Sequence, residues 1–198
     1  MIKERIHIIV LMWLLGSFMG ACSNSESINF VDEGRFLIEE GEILLSSSIY
    51  PYAGIPRVVI ETEDLLEIND RETEIPAKMR IWGERYPETG LMEMTIRGRG
   101  NLSWSMRQKS YKLEFKNKQT LLGMPKDRDW ALISNYADKS LMKNYLMYHL
   151  ATKMGMPYAP RCEYVELYLN KEYLGVYLLT ETIKKSQNRV NLRQDEMS

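Results

Sequence analysis

Cysteine and histidine are scarce in this chain, with two of each among 198 residues. No metal cluster and no Ser-His-Asp arrangement can be built from Cys22, Cys162, His7 and His149. Charge of one sign is also lacking overall. The formal net charge is −1 and the pI about 6.2, so bulk attraction to nucleic acid is not indicated. There is no internal repeat and no low-complexity tract. The apolar run from Ile6 to Met19 falls short of a comfortable membrane span, which needs about 20 residues.

That run has another use. Lys3 and Arg5 precede it, and Met19-Gly20-Ala21-Cys22 closes it. A basic start, a short apolar stretch and small residues before a break describe a secretory leader, here residues 1–21. Cys22 after Gly20-Ala21 resembles the bacterial lipoprotein box, in which the cysteine is freed and acylated; the alternative is an ordinary leader with a chance cysteine. Acylation at Cys22 would tether an exported domain to a bacterial membrane in the cell envelope, with residues 22–54 as tether and lead-in. Cys162 then has no partner, no disulfide is expected, and a buried structural thiol is the expected role.

The charges are unevenly placed. Residues 22–94 carry 16 acidic and 6 basic side chains, whereas residues 95–128 carry 9 basic and 2 acidic. The basic block centres on Arg97-Gly98-Arg99-Gly100-Asn101-Leu102-Ser103-Trp104. Glycine admits a sharp turn and close approach, and arginine presents a fork of donors suited to phosphate or carboxylate. The pattern predicts strand, glycine-rich turn, strand, with Lys109 and Lys112 close by. The block fits an anionic ligand, and equally a solvated face neutralised by the acidic first third.

A β-branched run predicts a strand over Ile55–Glu61, and period-two patterns predict strands over Ala77–Gly83, Met92–Ile96 and Ser110–Phe115. A short strand near Ile43 to Leu45 is expected in the lead-in, and a turn packed by its own apolar residues over Leu121–Lys126. Trp130 to Ile133 reads as a short strand or loop anchor. A helix is predicted from an N-cap at Asp138 to Met154, with Met142, Leu146 and Leu150 on an apolar stripe. Glu163–Leu169 and Tyr173–Leu179 form the clearest hairpin, although Lys171 stands where a two-residue turn favours glycine.

Three segments together resemble the spore-coat protein H (CotH) kinase family. They are the stretch from Arg97 to Asn101 with Trp104 and Lys109-Ser110-Tyr111-Lys112; Leu121-Leu122-Gly123-Met124-Pro125 with Asp129-Trp130 and Asn135-Tyr136-Ala137-Asp138; and Val165 through Glu181. The likeness covers roughly residues 55–193, followed by a tail over 194–198. It implies an α+β fold, a twisted antiparallel sheet with one main helix resembling the small lobe of a protein kinase. It also implies ATP and Mg²⁺ as cofactors and a protein hydroxyl as acceptor. On that likeness Arg97, Gly98, Arg99, Gly100 and Asn101 would cover phosphates, Lys112 or Lys109 would hold phosphate oxygens, and Glu181 would mark the hinge. Each has a plainer reading: Lys112 as a solvated strand charge, Arg97 and Arg99 as partners of the acidic first third, Glu181 as a polar strand end.

The sequence departs from the family in one respect. The acids that position the hydroxyl and the metal lie beyond the hinge in this family, and here only Asp195 and Glu196 follow Glu181 before Ser198. The expectation is a nucleotide-binding part that is inactive alone. The alternative is a non-catalytic surface lipoprotein that binds a protein or glycan.

Overall fold

The computed structural model describes residues 54–191 except 84, 87 and 88, together with the backbone of two short strands, β1 (Ile38–Glu39) and β2 (Glu42–Ile43). The leader, Cys22 and the 194–198 tail with its two acids lie outside the described residues. β1 and β2 pair antiparallel, with Ile38 opposite Ile43, so the lead-in strand ends where Ile43 to Leu45 was expected to begin.

Five strands follow one another as an antiparallel meander: β3 (Arg57–Thr62), β4 (Ile75–Trp82), β5 (Met92–Arg99), β6 (Ser110–Leu121) and β7 (Met124–Ile133). The period-two pattern explains β4 to β6, whereas β3 is a β-branched run whose consecutive Val58, Val59 and Ile60 are all buried. Val58, Ile60, Met79, Ile81, Met94, Ile96, Leu113 and Phe115 turn inward and lose nearly all contact with solvent. After β7 comes one helix, α1 (Lys143–Lys153), then the hairpin β8 (Cys162–Leu169) and β9 (Glu172–Glu181).

The hairpin closes the structure. β9 pairs antiparallel with β7, and β8 pairs in parallel with β3, Val59 opposite Tyr168. The result is a closed seven-stranded barrel in the order β3-β4-β5-β6-β7-β9-β8. This overturns the expected α+β sheet of the kinase small-lobe type. The apolar face that would have needed a helix is buried by curling the sheet on itself, so Trp130, Leu132, Val165, Leu167, Tyr177 and Leu179 meet across the barrel interior.

The helix is correspondingly minor. It starts at Lys143, later than expected, and none of its residues is buried. Leu146, Met147 and Leu150 are all exposed, so the apolar stripe does not line the core. Asp138 still serves the helix start: its carboxylate accepts the Lys143 amide hydrogen at 2.8 Å, across an intervening turn. No helix among the described residues is long and apolar enough to cross a membrane.

Three strands run further than their patterns predict. β6 continues to Leu121 and β7 begins at Met124, joined by Leu122 and Gly123, both with positive φ. The expected packed turn is thus a tight hairpin. β5 runs on through Gly98 and Arg99, which pair with Tyr111 and Ser110, so the bend proper starts at Gly100.

Candidate functional site: a cationic strand pair and its acidic partners

Arg97 on β5 stands directly opposite Lys112 on β6. Their neighbours Ile96, Leu113 and Tyr111 fill the core, so both cations belong to the outer face of the barrel. Lys112 Nζ lies 3.0 Å from Glu114 Oε2 and 3.5 Å from Asp129 Oδ1. The Arg97 guanidinium lies 3.5 Å from Glu74 Oε1 and donates to the Arg71 carbonyl. All three ion pairs are partly exposed, a setting in which such pairs are weak and exchangeable.

The glycines serve the chain's own packing. The Gly98 amide donates to the Asp70 carbonyl at 3.0 Å, and a Cβ there would collide with that oxygen and with the Trp104 ring. At Gly100, with φ +93°, a Cβ would strike the Ser103 hydroxyl. Arg71 fastens the bend from outside, donating to the Gly100 carbonyl and, at 2.6 Å, to Asn101 Oδ1. Lys109 caps it: its ammonium donates to the Trp104 carbonyl at 2.9 Å and sits 4.5 Å above the Trp104 ring centre. Arg99 is half-buried, and burial lowers its pKa from the ordinary arginine value.

Glu181, at the end of β9, is almost fully buried and points into a set of donors. It takes Arg161 at 2.8 Å, the Tyr158 hydroxyl at 3.1 Å and the Arg161 amide at 3.0 Å. Arg189, itself fully buried as a side chain, lies 3.5 Å away. Burial, followed by the Glu181 charge, pushes the Tyr158 phenol well above its ordinary value.

A wider network joins Lys112 to Glu181. Asp129 accepts Lys184 as well as Lys112; Lys184 also pairs with Asp127; Asp127 faces Arg189, which faces Glu181. Arg189 further donates to the Thr182 and Asp129 carbonyls and lies over the Trp130 ring. Sequence reading treats the stretch from Lys184 to Arg189 as a polar tail. The signal available was Asp127 and Asp129, two acids two residues apart on one strand, which need cations from elsewhere once buried.

A family model described as CotH kinase protein matches residues 96–198. The chain belongs to the CotH kinase family. No curated protein matches it. The matched stretch opens in β5, so β3 and β4 precede it, although both are needed to close the barrel.

Membership in the CotH family implies nucleotide and metal use in general. Lys112 and Arg97 fit a polyphosphate, being adjacent and on one face, Lys112 held by two partly exposed carboxylates and Arg97 by Glu74 and the Arg71 carbonyl. The Gly98 amide is committed to Asp70 and is not free for phosphate. No group of three or more His, Cys, Asp or Glu among the described residues could hold a metal ion.

Proposed function

We propose that this CotH-family chain binds a nucleoside triphosphate, ATP by preference, on the outer face of β5 and β6, as the nucleotide-holding part of a protein kinase. The observation that carries the reading is the register pair Arg97–Lys112, two cations side by side at the edge of the bend. Bound ATP would supply a γ-phosphoryl group for a protein hydroxyl. Lys112 exchanges Glu114 and Asp129 for phosphate oxygens, and Arg97 exchanges Glu74. Transfer also needs a carboxylate to position the hydroxyl. Glu114 and Asp129, the acids beside Lys112, are both tied to cations, so this part orients nucleotide and does not turn it over unaided. The leader-like start and Cys22 support an envelope location on a lipid anchor; an alkyne-palmitate label that Cys22→Ser abolishes is the expected result.

Calorimetric titration of ATP, with and without Mg²⁺, tests the binding claim. Saturable binding is expected, weakened about tenfold or more in Lys112→Ala, since a hydrogen bond to a charged group contributes ~1.5–3 kcal/mol. Lys116→Ala, an exposed charge paired with Glu93 further along the strand, should bind within about twofold of the parent. Equal affinity in the parent and Lys112→Ala defeats the proposal.

A further inference from the structure

The barrel has a mouth that the nucleotide reading does not use. It lies where β6 begins, where the β8–β9 hairpin turns and where the β3–β4 connection crosses. A hollow of about 780 Å³ opens there. This is the size of small-molecule clefts, which favour barrel mouths lined by aromatic side chains and a few polar groups.

Tyr111 and Tyr177 form its floor, stacked with ring centres 6.2 Å apart, and seal the core beneath. The Tyr177 hydroxyl is anchored on the Lys109 carbonyl, and Gln108 pins the wall by donating to the Leu174 carbonyl. Tyr173 stands at the side with 42% of its surface exposed. The walls are therefore fixed and offer apolar faces.

The rim differs in kind. Glu67, Asn69, Arg107 and Glu172 line the opening, and among the described residues none of their side chains makes a hydrogen bond or ion pair. All four end in planar groups with paired donor or acceptor atoms, the geometry that accepts two neighbouring hydroxyls. Two are acids and one is a cation, a mixed rim that suits a neutral ligand better than a phosphate. A ligand with an apolar face for Tyr173 and a hydroxyl-bearing edge for the rim is a sugar ring.

We infer that the barrel mouth is a binding site for a neutral saccharide, separate from the nucleotide face. The inference does not depend on nucleotide binding and can fail or stand without it. The test is saturation-transfer NMR and calorimetry of the full chain with maltotriose, cellotriose and chitotriose, with and without ATP. At least one sugar should bind saturably, and ATP should not displace it. Tyr173→Ala and Arg107→Ala should each weaken binding about tenfold, Arg107→Ala with melting temperature unchanged and Tyr173→Ala with a modest fall, since that ring also packs on Tyr168. Both positions are exposed, and agreement between the two variants guards against a folding defect in either. Failure of all three sugars to saturate, binding that both variants retain, or displacement by ATP overturns the inference.

Discussion

Gly98 shows how a residue can be legible as important while its reason is not. A glycine between two arginines on a strand signals that something approaches the backbone closely. The sequence does not say what approaches, and an anion is one of several candidates. Here the approach is made by the Trp104 ring and the Asp70 carbonyl. Both belong to the chain and one is backbone, so neither yields cheaply. Gly98→Ala should therefore cost ~2 kcal/mol or more through overpacking, seen as a fall of several degrees in thermal melting. Gly90→Ala, where a Cβ meets nothing within 4 Å, should leave the melt nearly unchanged. Lys112 and Glu181 each stand out in the sequence. Their connection was not, because it runs through Asp129, Lys184, Asp127 and Arg189, which come together only in the folded barrel.

At the level of elements, the strap from Thr182 to Val190 is held by charge rather than by apolar packing. Its fate with pH follows from two groups. Burial pushes the Asp127 carboxyl up, but Lys184, the amides of Asp129 and Arg128, and Arg189 together hold it below the ordinary carboxylate range. Burial lowers Lys184, yet its bonds to Asp127 and Asp129 outweigh that and raise it above the ordinary lysine value. A depressed carboxylate stabilises the folded strap above its unfolded pKa, near 4, and loses that contribution as pH falls through the lower folded value. A raised lysine contributes fully below its unfolded pKa, near 10.4, and loses this as pH climbs through the higher folded value. Amide exchange of residues 184–190 should therefore be slowest relative to the barrel strands between about pH 4 and 10, and protection should fall beyond either limit. Arg189→Ala should cost ~3–5 kcal/mol in denaturant unfolding, because Asp127 and Glu181 are left buried with fewer cations. A loss under 1 kcal/mol would make the strap incidental. The helix teaches the opposite lesson. Its apolar spacing reads clearly in the sequence, yet Leu146, Met147 and Leu150 stay exposed, since periodicity reports a face and not what lies against it.

The whole molecule depends on a pairing that no local pattern announces. Every antiparallel pair in the meander joins strands that follow one another in the chain, and the strands can be read from local pattern. The parallel contact of β3 with β8 joins residues more than a hundred positions apart, Val59 with Tyr168 and Ile60 with Leu169. Because strand patterns look alike in an open sheet and in a barrel, the sequence could supply the strands and not their closure. One side chain at the seam makes closure testable. Asn170 opens the β8–β9 turn, and its Oδ1 accepts both the Thr62 amide at 2.9 Å and the Thr62 hydroxyl at 3.0 Å, while its Nδ2 donates to the Leu66 carbonyl. It thereby fastens the hairpin to the far end of β3. The next residue, Lys171, adopts φ 72°, the left-handed region where a side chain costs ~1 kcal/mol or more. The two turn positions should therefore respond in opposite directions. Lys171→Gly relieves the backbone and should stabilise by up to ~1 kcal/mol, whereas Asn170→Gly keeps the turn permissible, strips the Thr62 amide of its partner and should destabilise by ~1–2 kcal/mol. Denaturant midpoints of the two variants decide the matter: if Asn170→Gly is as stable as the parent, the Thr62 link does not hold the barrel shut.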